Sequence, residues 1–289
     1  MKKIHVGFLF SHDYEKLKLS IPPVYGASDR IFIAMDENFV TWSGNKFAVD
    51  PAFFEWLKEI DVDNKIEIYK DNFYIPSLTE IDMDTRERHL LSLKMGIGNW
   101  LIQIDSDEYF LNFEKFVMDL RKFDHYLDNP EKKKIQIAAF WIILYKYTDN
   151  GILYVDLPMK AVFATNYPNY TCARRTKAQV IYTDNIVLHE SLSRTEEELR
   201  FKLENWGHKR EVNPEFLNKW IKVNENNYFQ FENFYYIEPE RWKRLNYFPS
   251  KNLKDIKKFV IESKVLKLSK TYLFMKNFGQ WFKFLFKWN

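Results

Sequence analysis

Three carboxylates stand within four residues at Asp105-Ser106-Asp107-Glu108, directly after the mostly apolar run Leu101–Ile104. Carboxylates held that close repel one another unless protons or a cation neutralise them. Hard divalent cations take carboxylate oxygens, and Mg2+ and Mn2+ sites commonly join one or two carboxylates to substrate phosphates. The cluster therefore predicts a metal site that holds a phosphorylated ligand. The plainer reading is that the acids cap a helix. Asn112 already supplies a cap ahead of Phe113, Phe116, Val117 and Leu120, and capping does not need three acids. Polar groups also follow the first two apolar runs, as Ser11-His12-Asp13 and as Asp36-Glu37, and His189-Glu190-Ser191 closes a late one.

These groups need a scaffold, and the chain offers one in order. Ile4–Phe10, Ile31–Met35, Lys65–Tyr69 and the run ending at Ile104 read as strands. Asp50-Pro51 opens a helix on Phe53, Leu57 and Ile60, an acceptor at the cap and proline at the first helical position. Asp84 with Glu87 reads as a capping box for a second helix, with Leu90, Leu93 and Ile97 as its buried stripe. Strand–helix alternation over about 110 residues implies a largely parallel α/β sheet, with the acids at the mouth of its fourth strand. Beyond residue 124, Ile135–Leu144, Leu153–Asp156, Lys160–Thr165 and Gln179–Leu188 read as strands joined by turns such as Thr148-Asp149-Asn150-Gly151. That half is expected to be antiparallel. Ser193 with Glu196 reads as a further capping box, and Asn213-Pro214 opens a helix with Phe216, Leu217, Trp220 and Ile221.

Bulk composition narrows the partners. Lys+Arg 43 against Asp+Glu 40 leaves +3, too near balance for nucleic-acid binding over the whole surface. A single cysteine, Cys172, excludes an internal disulfide and fits a reducing compartment. Met1-Lys-Lys-Ile-His5 lacks a signal-peptide core, and no run reaches the roughly 18 apolar residues of a membrane span. The Asn169-Tyr170-Thr171 sequon then has no expected role. Aromatics make up 18%, which suits sugar stacking or simple compositional bias. From Lys264 to Asn289 there are six lysines and no acid, interleaved with aromatic and aliphatic residues. That segment is expected to lie on an anionic membrane surface or to pack on the domain.

With strands, acids and trailing helices in this order, the sequence resembles glycosyltransferases of the GT-A fold. It is similar to bacterial family 2 enzymes of surface-polysaccharide and lipopolysaccharide assembly. The resemblance rests on Thr85-Arg-Glu-Arg88-His-Leu90, on Gly98-Asn-Trp100 leading to Ile104-Asp-Ser-Asp107-Glu108, on Leu188-His-Glu190-Ser191 and on Trp206-Gly-His208. It implies a GT-A catalytic domain over 1–235, with a nucleotide-binding half at 1–110 and an acceptor half at 111–235. A helical, basic extension over 236–289 lies outside it.

The activity implied is metal-dependent transfer, with inversion, from a UDP- or GDP-sugar to a glycan or lipid-linked acceptor at the cytoplasmic membrane face. Mn2+ or Mg2+ would sit on Asp107, with Asp105 touching the metal or the donor sugar and His189 completing the shell. Glu190 is the expected general base, with Asp156 as its reserve, and Glu108 is either a further candidate base or a support of the metal shell. Ser11, Asp13 and Asp36 would hold base and ribose, and Arg88 the nucleotide, although His89 departs from the family pattern beside it. Arg174, Arg175 and Lys177 read either as a diphosphate site or as a solvated hairpin. Two other readings are a catalytically degenerate, membrane-docked scaffold and a Mg2+-dependent phosphohydrolase. The second is disfavoured because its acidic pair belongs after the first strand.

Overall fold

The computed structural model describes residues 2–207 and 209–282. Four strands, β1 (Ile4–Phe10), β2 (Arg30–Asp36), β3 (Ile66–Asp71) and β4 (Trp100–Ile104), pair in parallel in the order β3-β2-β1-β4. Parallel strands need crossovers of a dozen residues or more. Two helical turns, α1 (Leu17–Ser20) and α2 (Pro22–Tyr25), lie between β1 and β2; α3 (Pro51–Ile60) follows β2 and α4 (Glu80–Met95) follows β3.

Both faces of this sheet are covered. Val6, Phe8 and Phe10 of β1 join Phe53 and Leu57 of α3 in one core. Leu9 joins Leu91 and Met95 of α4 in another. Between them Gly7 lets α4 come close, since a Cβ there would stand 2.8 Å from both Leu91 and Met95 side-chain atoms.

The helix α4 departs from the expected pattern. It starts at Glu80, capped by Thr79, which accepts from the Asp82 amide. Asp84 is not its cap but a buried residue of its second turn. The buried face is Met83, Asp84, Glu87, Arg88, Leu91, Ser92 and Met95, whereas Leu93 and Ile97 are exposed. A search for apolar periodicity finds the helix but misplaces its inward face, because that face carries charge.

After β4 the chain turns into β5 (Glu108–Phe110) and α5 (Phe113–Arg121), the latter capped by Asn112 as expected. β6 (Ile135–Tyr147) and β7 (Ile152–Thr165) form an antiparallel hairpin, and β7 pairs antiparallel with β4. The two strands expected at Leu153–Asp156 and Lys160–Thr165 are one strand. Asp156, Leu157 and Pro158 bulge out where Trp141 pairs with Met159 and Ile143 with Val155, which is how a strand accommodates an interior proline.

β8 (Gln179–His189) runs parallel to β6, not antiparallel as expected. β7 ends beside the start of β6, and residues 166–178 carry the chain to the other side of β6 at that same end. The full order is β3-β2-β1-β4-β7-β6-β8-β5.

Helix α6 (Glu196–Asn205) carries its capping box on Thr195 and Glu198, two residues past the expected pair. Ser193 instead donates to the Leu144 carbonyl. α7 (Phe216–Lys222) packs Phe216 and Trp220 with Trp242 and Leu245 against Ile143, Leu153 and Val155. β9 (Asn246–Phe248) pairs with β7.

Two helices, α8 (Leu253–Ser263) and α9 (Lys270–Trp281), follow. Ile256, Val260 and Leu266 enter a third core with Phe140, Leu144 and Leu188. Asn277 exchanges two hydrogen bonds with the Tyr182 backbone, at 2.8 and 3.0 Å, and Gln280 accepts from Val180 N. Phe274, Met275, Phe278, Trp281 and Phe282 remain exposed. Of the expected surface segment 264–289, residues 283–289 lie outside the described residues, as does His208. Among the described residues no helix is long and apolar enough to cross a membrane.

Candidate active site: a charged cavity at the mouth of the parallel strands

A cavity of about 780 Å³ opens at the C-terminal ends of β1, β2 and β4. Open α/β sheets bind ligands at this edge, where strand direction changes. Ser11, His12, Asp36, Arg88, Asp105, Asp107 and His189 all line it. Parts of the chain far apart in sequence therefore converge on this cavity.

Asp107 is 3% exposed and is bonded to cations of the protein itself. Its Oδ2 accepts from Arg194 Nη2 at 2.6 Å and from Lys202 Nζ at 2.8 Å, while His189 Nε2 lies 3.5 Å from Oδ1. Burial by itself would push this carboxyl upward. Lys202, His189 and Arg194 together outweigh that and hold Asp107 well below the usual carboxylate range. Arg194 Nη2 also bonds Asp13 at 2.8 Å, and Asp13 accepts from Ser11 and Ser106 hydroxyls. Asp13 is therefore a strut that ties β1 to the acidic turn. Burial raises its carboxyl, but Arg194 and His12 bring it below its ordinary value.

A second charged chain supports Asp105. Arg88 donates to Asp105 at 2.7 Å and to Asp84 at 2.6 Å. Burial raises Asp84, with Arg88 opposing, whereas in Asp105 Arg88 and Arg174 overcome burial and lower the carboxyl. Glu108 is fully buried in a two-toothed pair with Arg174, and also accepts from Trp141 Nε1 at 2.9 Å and the Asp105 amide at 2.8 Å. Its oxygens hold the acidic turn in shape. Of the basic trio, Arg174 is thus a buried structural partner, while Arg175 and Lys177 are exposed and Arg175 reaches the cavity wall.

Other expected site residues are placed differently. Asp36 accepts from the amides of Asn38, Val40, Phe73 and Tyr74, so it pins two loops at the cavity wall. Glu190 does not line the cavity. Lys16 Nζ stands 2.8 Å from its Oε2, which the Tyr109 hydroxyl also bonds. Asp156 is exposed on the β7 bulge and is likewise outside the lining. Neither expected base faces the space where a ligand would sit.

Two residues in the site, Arg194 and Lys202, carried no signal in the sequence, and a third, the buried Glu87, was expected only as part of a helix cap. Glu87 lines the cavity and accepts from Trp42 Nε1 at 2.8 Å. Burial, with Asp84 adding to it, pushes its carboxyl up to about 8. Aromatic residues also line the cavity: Trp141, Trp206, Tyr235, Tyr236 and Trp242.

A divalent metal has to be tested against these donors. Among the described residues no three His, Cys, Asp or Glu side chains come together in a way that could hold a metal ion. Unit charges about 4 Å apart interact by about 4 kcal/mol at an effective dielectric near 20. A divalent ion beside Asp107 would then gain about 8 kcal/mol from that carboxylate. Asp13, bridged to Asp107 by Arg194, adds a similar gain, and Arg194 and Lys202 each take about as much away, so the cluster is already neutral and leaves little net attraction for the ion. As placed, the expected donors Asp107, Asp105 and His189 do not form an open metal site.

No protein-family model matches the chain, and no curated protein matches it in sequence. Among solved structures, the crystal structure of mannose-6-phosphate isomerase from Helicobacter pylori aligns over 54% of this chain and 56% of that one, at 15% identity and a TM-score of 0.31. The chain spans little more than half of that protein's length, and so slight a likeness bears on neither fold nor function.

Proposed function

We propose that the protein is a glycosyltransferase of GT-A type, taking a sugar from a UDP- or GDP-sugar and passing it, with inversion, to a glycan or lipid-linked acceptor. The observation that carries the reading is the convergence of Asp105, Asp107, Arg88 and His189 on one cavity at the mouth of β4, next to the antiparallel β7. A diphosphate leaving group develops negative charge, which preorganised cations stabilise. Arg88, Arg175 and Lys202 line the cavity and supply that charge. Aromatic faces such as Trp141 and Trp206 suit the apolar face of a sugar ring.

A membrane-facing acceptor is supported by α9. Its exposed Phe274, Phe278 and Trp281 touch one another ring to ring. They belong to a segment with six lysines and no acid. Such a face enters the headgroup boundary of anionic lipid.

One observation favours a second reading, a nucleotide-sugar-binding scaffold without turnover: Glu190 and Asp156 both lie outside the cavity lining. A thermal-shift panel of UDP, GDP and their sugars, followed by assay of sugar release, separates the readings. Binding at a hundredfold excess over the dissociation constant adds about 2.7 kcal/mol of stability, a shift of several degrees. A shift with sugar release supports the transferase, and a shift without release with any donor supports the scaffold. No shift with any nucleotide refutes both.

A further inference from the structure

The family that the sequence resembles implies a divalent metal on the Asp105–Asp107 pair, and the donors there are already engaged by cations. We propose that Lys202, held in place beside Arg194, is the site's own counter-cation, so that a nucleoside diphosphate binds here without a divalent metal. This deepens the reading above and rests on it.

The two cations divide the work. Arg194 is 1% exposed at its side chain and bridges Asp13 and Asp107, so its charge is spent inside the protein. It balances one of two acids that would otherwise call for an external cation. Lys202 balances the other, and unlike Arg194 it lines the cavity. An ammonium has three donors. Asp107 takes one of them, and the remainder are available to an anion entering the cavity.

Helix geometry fixes that ammonium. Lys202 lies on the second turn of α6, whose start is locked by the capping box on Thr195 and Glu198. The loop just before that box carries Arg194, so one local structure presents both cations to Asp107.

Independent support comes from a polar atom left over. Among the described residues, Nη1 of Arg88 is buried without a hydrogen-bond partner, and Arg88 lines the cavity. Buried donors without partners are rare in folded proteins, and a bound ligand is one way such groups are satisfied. An anion with several acceptor oxygens, such as a diphosphate, would meet Arg88 on the Asp105 side and Lys202 on the Asp107 side. No divalent ion could satisfy the N–H groups of Arg88, because they have no lone pair to give it.

The test is calorimetric titration of the full chain with UDP and with GDP, each in EDTA and again with Mn2+, for the wild type, Lys202→Met and Lys202→Arg. The expected result is wild-type binding that EDTA leaves unchanged. Lys202→Met should weaken it about tenfold or more, the worth of one charge-assisted hydrogen bond, and Lys202→Arg should restore it. Unfolding midpoints of the variants check that each is folded, and the two wild-type arms need no variant. Nucleotide binding that EDTA abolishes overturns the metal-free clamp and leaves the glycosyltransferase reading intact. Lys202→Met binding as tightly as the wild type in EDTA also overturns it. No binding of either nucleotide, with or without metal, overturns the clamp and the donor-binding reading together.

Discussion

Glu87→Gln removes a titration from the cavity wall while keeping the shape of the side chain and an amide oxygen to accept from Trp42 Nε1. In the unfolded chain this carboxyl loses its proton near 4.5, and in the folded chain burial delays the loss to about 8. Between those values the folded state carries more protons than the unfolded one. The wild type therefore loses stability as pH rises through this window, at up to about 1.4 kcal/mol per pH unit. The full span of 3.5 units sets a ceiling of about 5 kcal/mol. Glutamine has no proton to lose.

The stability of Glu87→Gln relative to wild type should consequently grow from pH 5 to pH 8 and level off above it. In thermal unfolding each unit corresponds to a few degrees of separation in Tm for a chain of this size. Urea unfolding at pH 5, 6, 7 and 8 for both proteins gives the same comparison without heating. The difference between the two curves isolates this group from every other titration. A difference that stays constant from pH 5 to 8 would show that Glu87 is ionised in the folded protein and refute the reasoning.

Glu108→Gln leaves Arg174 buried with half of its partner gone and should cost about 3–5 kcal/mol in urea unfolding. A loss under 1 kcal/mol would mean that the pair is not closed as described. The double change Phe274→Ser with Trp281→Ser should reduce sedimentation with phosphatidylserine vesicles while moving stability by less than about 0.5 kcal/mol, since both residues are exposed. Deleting residues 264–289 would be a poorer probe. It also strips Leu266 from the third core and the Asn277 bonds from β8.

Much of the first 110 residues was legible because its signals are local. Aliphatic runs bounded by polar turns gave the four parallel strands, and Asn112 and Asp50 are caps that act within three residues of themselves. The acids at the mouth of β4 were legible for the same reason. The partners of those acids were not, because Asp107 finds Arg194 and Lys202 87 and 95 positions away. No spacing rule links such groups, and only the closed fold brings them together. Helix α4 misled the reading because it buries charge and exposes Leu93 and Ile97. In β7, the break expected between Asp156 and Lys160 is a bulge within one strand. The last helix had a correct amphipathic signal with two uses, one face packing against β8 and the other left exposed.

The bonds from Asn277 and Gln280 to Val180 and Tyr182 set a timetable for the protein's own making. Chains are synthesised at about 5–20 residues per second, and bare strand edges are prone to aggregation while they wait. Tyr182 is made 95 residues before Asn277, so this edge of β8 stays uncovered for about 5–20 s of every round of translation. A slow stretch of message between those two codons would lengthen the exposure.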